Sequence, residues 1–120
     1  MKFGPWYPLA EAAQHAPAAA GLFQVRLASG LLDYPTGRSA MVHYGWSARD
    51  LRAEVLAFAA ALRPRRSSGP ASLTSDVPLL CRHGEEMTAG QLRYPRAAHD
   101  RLREQFIRRF GAPPGTFTQP

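Results

Sequence analysis

The chain has 120 residues, 45% of them hydrophobic, and 15 Lys and Arg against 9 Asp and Glu give it a net charge of +6. This length predicts a single domain over residues 1–120 with a real core, and the charge favours nucleic acid as a partner. The sequence argues against a membrane span, because no stretch is long and apolar enough, and against an internal disulfide, because Cys81 is the single cysteine; a reducing cytoplasm is the expected location.

The first predicted element is a short helix. The Ala-rich sequence from about Leu9 to His15 favours a helix, and Pro17 ends it because proline lacks the backbone N–H. Trp6 and Leu9 are expected to anchor this segment on the core.

Two strands follow, joined by turn residues. The first, "GLFQVRL" (21–27), alternates between two faces, one of them buried. The second, "AMVHYG" (40–45), ends at Gly45, and turn signals lie between them at 29–30 and 35–37. The residues expected to face the core from the first strand are Phe23, Val25 and Leu27.

The strongest helix pattern begins shortly after the second strand. Ser47 is the expected N-cap, Asp50 completes a capping box three residues later, and Pro64 ends the helix. Its apolar positions recur at helical spacing: Leu51, Val55, Phe58, Ala59 and Leu62.

The next segment is rich in Pro, Ser, Gly and Arg, which is typical of a loop. Arg63, Arg65 and Arg66 either are solvated or contact phosphate. The sequence "VPLLCRHG" (77–84) then predicts a short strand and a turn, with Cys81 as a buried structural thiol.

A last helix is predicted from about Arg96 to Phe110, and the tail from about residue 112 is expected to be loosely held. Arg101 and Arg108 belong to a basic side of this helix that can follow a phosphate backbone. A solvated charged face explains the same arginines, and an Arg-rich composition explains the overall charge equally well.

The order strand, turn, strand, capped helix, variable segment, helix accompanies two short motifs. The first strand opens with Gly-Leu-Phe at 21–23, the second closes with His-Tyr-Gly at 43–45, and Asp-Leu follows at 50–51. Over roughly residues 6–62 the chain resembles the GIY-YIG nuclease superfamily, whose strands carry Gly-Ile-Tyr and Tyr-Ile-Gly before an Asp-Leu helix. The resemblance implies an α+β fold with a small antiparallel sheet flanked by helices. It also implies phosphodiester cleavage with Mg²⁺ or Mn²⁺, if the protein is active.

Carried over residue by residue, the motifs are only partly kept. Gly21 and Gly45 match, whereas Phe23 stands where the first motif has Tyr and lacks the hydroxyl. His43 stands at the first Tyr of the second motif, where an imidazole can act as general base. Tyr44 is one residue further along and points to the other face of the strand.

The remaining roles implied by the resemblance lack direct matches. Four residues after Asp50, where an Arg is implied, the chain has Glu54, so Arg49 and Arg52 are the candidates to meet phosphate. Each lies on another face of the helix. Glu104 is the nearest carboxylate to the implied metal position on the last helix, and the metal ligands are otherwise unknown. The interpretation is a degenerate nuclease, or pseudo-enzyme, that binds nucleic acid with weak or lost metal-dependent cleavage.

Two other functions are consistent with the residues. One is a non-enzymatic protein-interaction module on the same fold, without a cofactor, which predicts an apolar patch around Trp6, Tyr7 and Trp46. The other is an unrelated hydrolase with a His/Glu site, for which His83 and Glu85 are the best local candidates. A solvated polar turn explains these last two residues as well.

Overall fold

The structure, a computed structural model, describes residues 3–62, 77–84 and 95–116. These residues form two antiparallel sheets and three helices, which confirms the predicted α+β class with a small antiparallel sheet. The elements in chain order are β1 (Tyr7–Pro8), a 3₁₀ turn (Leu9–Glu11) that leads into α1 (Ala12–His15), β2 (Gly21–Leu27), β3 (Leu32–Tyr34), β4 (Gly37–Ser39), β5 (Met41–Ser47), α2 (Leu51–Ala61), β6 (Leu79–His83) and α3 (Pro95–Phe110).

The larger sheet has the strand order β1-β6-β2-β5, and all its pairs are antiparallel. The two predicted strands, β2 and β5, pair directly, with Phe23 opposite Gly45. On its other side β2 pairs with β6, the short strand predicted around Cys81, so that Val25 lies opposite Cys81. β2 is therefore the central strand of the core.

The prediction that only one face of β2 is buried is wrong. Leu22 is 2% exposed and Gln24 is 4% exposed, although both alternate with the inward-facing residues. Helices pack on both faces of the sheet: Phe58 of α2 contacts the ring of Phe23, and Phe106 of α3 contacts the ring of Tyr44. Because the strand is covered on both sides, its first five residues, 21–25, are all buried in spite of the alternation.

The main core lies between the sheet and the helices α1 and α2. Ala12 of α1, Leu51 and Val55 of α2, and Val25 and Cys81 of the sheet are fully buried there. Leu9 joins this core, as predicted for the N-terminal segment. The buried, unreactive state predicted for the Cys81 thiol agrees with its environment, because burial raises its pKa to about 11.

A second, smaller core contains the hairpin of β3 and β4, where the sequence predicts only turns. The hairpin turns at Pro35 and Thr36, within the turn signal noted at 35–37. Tyr34 packs against Phe106 and Phe110 of α3, with ring centroids 4.9 and 5.9 Å away. This hairpin therefore connects β2 and β5 and also supports the last helix.

The start of α2 differs from the prediction. Strand β5 continues through Ser47, whose hydroxyl oxygen accepts hydrogen bonds from the backbone N–H groups of Arg49 and Asp50. Asp50 is the N-cap, because its backbone is extended and its carboxylate accepts from the N–H of Ala53 at 3.1 Å. Ser47 thus stabilises the turn into the helix and does not cap it.

The chain beyond α3 is packed at its start. Gly111, at φ +83°, ends the helix as its position predicts. Ala112, in the segment expected to be loosely held, is buried, and the N–H of Gly115 donates a hydrogen bond to the hydroxyl of Tyr34 at 3.2 Å. Residues 112–116 are therefore part of the fold.

Several predicted residues lie outside the described part of the chain. These include Arg63, Arg65, Arg66 and Glu85. Within the described ranges, no helix is long and apolar enough to cross a membrane.

Candidate functional site

The inward motif residues of the hairpin form an aromatic cluster against α2. The ring of Phe23 lies directly over Gly45, where an added Cβ would come 2.2 to 3.0 Å from ring atoms. The His43 ring stacks on Phe58 at a centroid distance of 4.4 Å and lies 5.5 Å from the Phe23 ring. Phe23, His43 and Gly45 therefore belong to the core packing, and Gly45 is required by the close approach of Phe23.

This environment makes His43 a weak base. Burial, with a smaller contribution from nearby His99, lowers the pKa of His43 to about 4. A general base works best when its pKa is near the operating pH. At neutral pH the His43 imidazole is uncharged and has little tendency to take a proton from water.

The other residues of the predicted catalytic set lie in different surroundings. The Arg52 Nε donates to the backbone carbonyl of Ala16 at 2.8 Å, which ties α2 to the end of α1. Arg49 lines a surface recess at the start of α2, and Glu104 is exposed on α3. Among the described residues, no hydrogen bond or ion pair joins any two of His43, Arg49, Arg52 and Glu104.

The arginines predicted to follow a phosphate backbone from α3 are exposed. Arg101 and Arg108 lie on its solvent side. Gly21, the remaining motif residue, is buried at the end of β2 opposite Ser47. These positions leave α3 able to present positive charge, but they do not by themselves define a site.

A different group of residues brings two arginines together over aromatic rings. The guanidinium carbon of Arg26 lies 4.2 Å from the centroid of the Trp6 ring, and that of Arg82 lies 4.4 Å from the same centroid. The guanidinium carbon of Arg82 also lies 4.6 Å from the centroid of the Phe3 ring. We call these four residues, Phe3, Trp6, Arg26 and Arg82, the arginine–tryptophan stack.

Strand register brings the two arginines together. Arg26 occupies a position of β2 that alternates with the core residue Val25, and Arg82 of β6 pairs with Gln24. The buried side chain of Gln24 accepts a hydrogen bond from Arg82 Nε at 2.8 Å and so fixes the direction of that guanidinium. Phe3 is held beside them through its bridge to Gly84 at the end of β6.

The stack carries positive charge that no carboxylate in the described ranges compensates. Among the described residues, neither Arg26 nor Arg82 makes an ion pair with Asp or Glu. The Arg26 Nε is buried and has no hydrogen-bond partner within residues 3–62, 77–84 and 95–116. Burial, followed by the charge of Arg26, lowers the pKa of Arg82, as expected for two neighbouring cations. Such a pair, held over aromatic rings, is suited to bind a phosphate or carboxylate anion.

No pattern in the sequence predicts this stack. The sequence predicts for Trp6 an anchoring role and a place in an apolar patch, and for Arg26 only a place in the strand at 21–27. Two sequence features belong to the stack. Arg26 is a charged residue within a strand, and Trp6 lies between two prolines in "PWYP". Neither feature indicates that residues 6, 26 and 82 meet.

The apolar patch expected for a protein-interaction module is not formed by the residues named for it. Tyr7 is buried, and its hydroxyl lies 3.1 Å from Nδ1 of His83. The Trp6 ring is in contact with two guanidinium groups, and Trp46 lines the recess beside Arg49. Trp6 therefore contributes to a charged surface.

No metal centre is assembled by the part of the chain that the structure describes. No group of three or more His, Cys, Asp or Glu side chains in those ranges is placed to hold a metal ion. His83 lies at the end of β6, and its proposed partner Glu85 lies outside the described residues.

In comparisons with known proteins, no family model matches the chain, and no curated protein or solved structure is significantly similar to it. The likeness to the GIY-YIG nuclease superfamily therefore stays a prediction based on the two short motifs and the order of the elements.

Proposed function

We propose that this protein binds nucleic acid through the arginine–tryptophan stack, on a GIY-YIG-like scaffold that has weak or no nuclease activity. The observation that carries the proposal is the pair Arg26 and Arg82, held over Trp6 without an acidic partner among the described residues. A guanidinium group is planar and presents several N–H donors in a fixed arrangement that matches phosphate oxygens.

The charge of the whole chain supports a polyanionic partner over a single small anion. The net charge is +6, and Arg101 and Arg108 add exposed positive groups on α3. A polymer of phosphates can contact several such groups at once, and each contact releases counterions. A cytoplasmic location is part of this proposal, because a free buried thiol such as Cys81 is typical of a reducing compartment.

The environment of His43 is the reason for proposing weak or lost cleavage. Its pKa of about 4 and its stacking on Phe58 make it a poor general base, and Phe23 supplies no hydroxyl in its place. Arg52, one of the candidates to meet phosphate, is already bonded to Ala16. Any residual cleavage would use Mg²⁺ or Mn²⁺, and its metal ligands are not assigned.

The binding proposal is tested by fluorescence anisotropy with labelled single- and double-stranded DNA and RNA at increasing KCl. Arg26→Gln removes one guanidinium of the stack, and Arg38→Gln is the matched control, because it removes the same charge from an exposed residue paired with Asp33 at 2.9 Å. We expect Arg26→Gln to weaken binding about tenfold and to reduce the salt slope by about one, and Arg38→Gln to weaken it less than about twofold. Equal losses in the two variants, or no salt-dependent binding of any of the four nucleic acids, would overturn the proposal.

Cleavage is tested on the same nucleic acids with Mg²⁺ or Mn²⁺ added. We expect little or no product from the natural chain and from His43→Ala. Efficient cutting that disappears in His43→Ala would show instead a nuclease with His43 as base, and the proposal of weak or lost cleavage would be wrong.

A further inference from the structure

Gln24 lies on the same face of the large sheet as the two arginines of the arginine–tryptophan stack. It pairs with Arg82 of β6 and comes two residues before Arg26 in β2, and residues at this spacing share a face of a sheet. Its side chain is 4% exposed, and no other Gln, Asn or charged residue in the described ranges is buried. A buried amide costs free energy unless it is hydrogen-bonded, so its partner explains its presence here.

The partner of Gln24 is the guanidinium group of Arg82. The Arg82 Nε–H donates a hydrogen bond of 2.8 Å to the side-chain oxygen of Gln24. The same guanidinium carbon lies 4.6 and 4.4 Å from the centroids of the Phe3 and Trp6 rings. This hydrogen bond uses only the Nε donor, so the N–H groups on the terminal nitrogens stay available to a ligand. Gln24 and the rings together fix the direction of these donors.

A glutamate at position 24 would have nearly the same shape and would accept the same hydrogen bond. Its carboxylate would also neutralise the charge of Arg82, because the nearby guanidinium groups would keep it ionised. The amide of Gln24 accepts the hydrogen bond and carries no charge. It therefore holds Arg82 in place and leaves the positive charge of the two arginines to a ligand.

Stability alone would favour a carboxylate at this position. Arg26 and Arg82 make no ion pair with Asp or Glu among the described residues, and burial, followed by the charge of Arg26, lowers the pKa of Arg82. The buried Arg26 Nε also lacks an acceptor within these ranges. Two neighbouring cations without a counter-charge cost stability, and such costs are typical of sites where a ligand supplies the opposite charge.

We propose that Gln24 is a positioning residue of the nucleic-acid site, which fixes Arg82 by a hydrogen bond and, because it is neutral, leaves the charge of Arg26 and Arg82 to the phosphates. The inference rests on the proposed nucleic-acid binding and adds a requirement to it. A variant that keeps both the fold and this hydrogen bond should still lose affinity when position 24 becomes negative.

The first test is Gln24→Glu, measured by fluorescence anisotropy with the same labelled nucleic acids at increasing KCl. We expect binding about tenfold weaker and a salt slope smaller by about one, because the pair of arginines loses one positive charge. The urea midpoint should be at least that of the natural chain, since the carboxylate pairs with Arg82. A lower midpoint would overturn the inference, because the carboxylate would then not form that pair.

The matched control is Gln14→Glu, which makes the same chemical change at an exposed position of α1, outside the stack. It should weaken binding less than about twofold, because the added charge is solvated and distant from the two guanidinium groups. Equal losses in Gln14→Glu and Gln24→Glu would show that only the net charge of the chain matters, and would overturn the inference.

A second variant, Gln24→Met, separates the hydrogen bond from the charge. It keeps the length of the side chain and both positive charges but removes the acceptor, so we expect binding about three- to tenfold weaker with an unchanged salt slope. The Arg82 Nε–H signal in NMR spectra, assigned by its loss in Arg82→Lys, should be protected from exchange in the natural chain and in Gln24→Glu. It should lose this protection in Gln24→Met.

The outcomes distinguish this inference from the proposed function. If Gln24→Glu or Gln24→Met binds as tightly as the natural chain, the inference is wrong, while the salt-dependent binding and its loss in Arg26→Gln leave the proposed function standing. If the natural chain shows no salt-dependent binding, the proposed function is wrong and the inference falls with it. A protected Arg82 Nε–H in that case would leave Gln24 with a structural role alone.

Discussion

Single residues of the hairpin motifs owe their identity to packing. Gly45 is opposite Phe23, and the space that a Cβ would need at position 45 is filled by the Phe23 ring. His43 is held between aromatic rings in the same layer. A motif that resembles a catalytic one is therefore explained here by the shape of the core beside α2.

Gly45→Ala should destabilise the protein by about 1–3 kcal/mol, because the new methyl group overlaps the buried Phe23 ring. Phe23→Leu in the same chain should restore part of this loss, since the smaller side chain makes room. The free energy of unfolding, measured by urea denaturation of the two single variants and the double variant, checks the coupling. Additive losses would show that the two positions do not compete for space.

The free energy of unfolding should fall as the pH is lowered through the range between the unfolded and folded pKa values of His43. The folded pKa of about 4 is below the unfolded value of about 6.5, so the unfolded chain binds more protons between these values. The contribution of neutral His43 is therefore present above pH 6.5 and is lost as the pH falls toward 4.

Urea midpoints at pH 5 and pH 7 test this pH effect. His43→Phe keeps the ring that stacks on Phe58 and should reduce the difference between the two midpoints. An unchanged difference in His43→Phe would contradict the assignment.

Among the elements, the junction between β5 and α2 shows how a short sequence is divided between a strand and a helix. Ser47 remains in β5 and its hydroxyl holds the turn, whereas Asp50 caps the helix three residues later. Both residue types are good N-caps, so local sequence alone permits either start. Because Ser47 pairs with Gly21 in the sheet, it stays in β5, and the helix begins after Asp50.

Asp50→Ala should lower the free energy of unfolding by about 1 kcal/mol, because the N–H of Ala53 loses its acceptor. Asp50→Asn keeps a side-chain oxygen at the cap and should lose much less. Thermal or urea denaturation of both variants checks the difference. Equal losses would indicate that the negative charge, and not the hydrogen bond, is the stabilising feature.

For the whole molecule, Tyr34 joins parts of the chain that are far apart in sequence. Its hydroxyl donates to the carbonyl oxygen of Met41 at 2.6 Å and accepts from the N–H of Gly115 at 3.2 Å, while its ring packs on Phe106 and Phe110 of α3. The hairpin, the edge of the large sheet, the last helix and the segment after it therefore meet at one side chain.

Tyr34→Phe should destabilise the protein by about 1–3 kcal/mol, since it keeps the ring but leaves two partly buried backbone hydrogen bonds without their partner. Tyr44→Phe is the matched control, because the Tyr44 hydroxyl makes no hydrogen bond among the described residues, and it should change stability little. Hydrogen exchange at Gly115 gives an independent readout: its N–H should lose protection in Tyr34→Phe alone. Unchanged protection there would show that the segment after α3 is held by other contacts.

Much of the secondary structure could be predicted because its signals are local. The strands around Phe23 and His43, the helices that end near Ala61 and Phe110, and the burial of Cys81 follow from apolar spacing, proline and glycine. Among the motif residues, the sequence located His43 in the right strand. It did not show that the ring is buried, stacked on Phe58 and poorly basic, because Phe58 comes from another element.

The sequence by itself determined the α+β class, the basic charge and the order of the elements, since these depend on composition and on neighbours along the chain. Tertiary structure alone decided the candidate site. Trp6, Arg26 and Arg82 meet because β6 pairs with β2 and the N-terminal segment with β6. Gln24 and Arg82 meet through the same pairing of β6 with β2. Such contacts depend on strand order and helix docking, and no local pattern of residues specifies them.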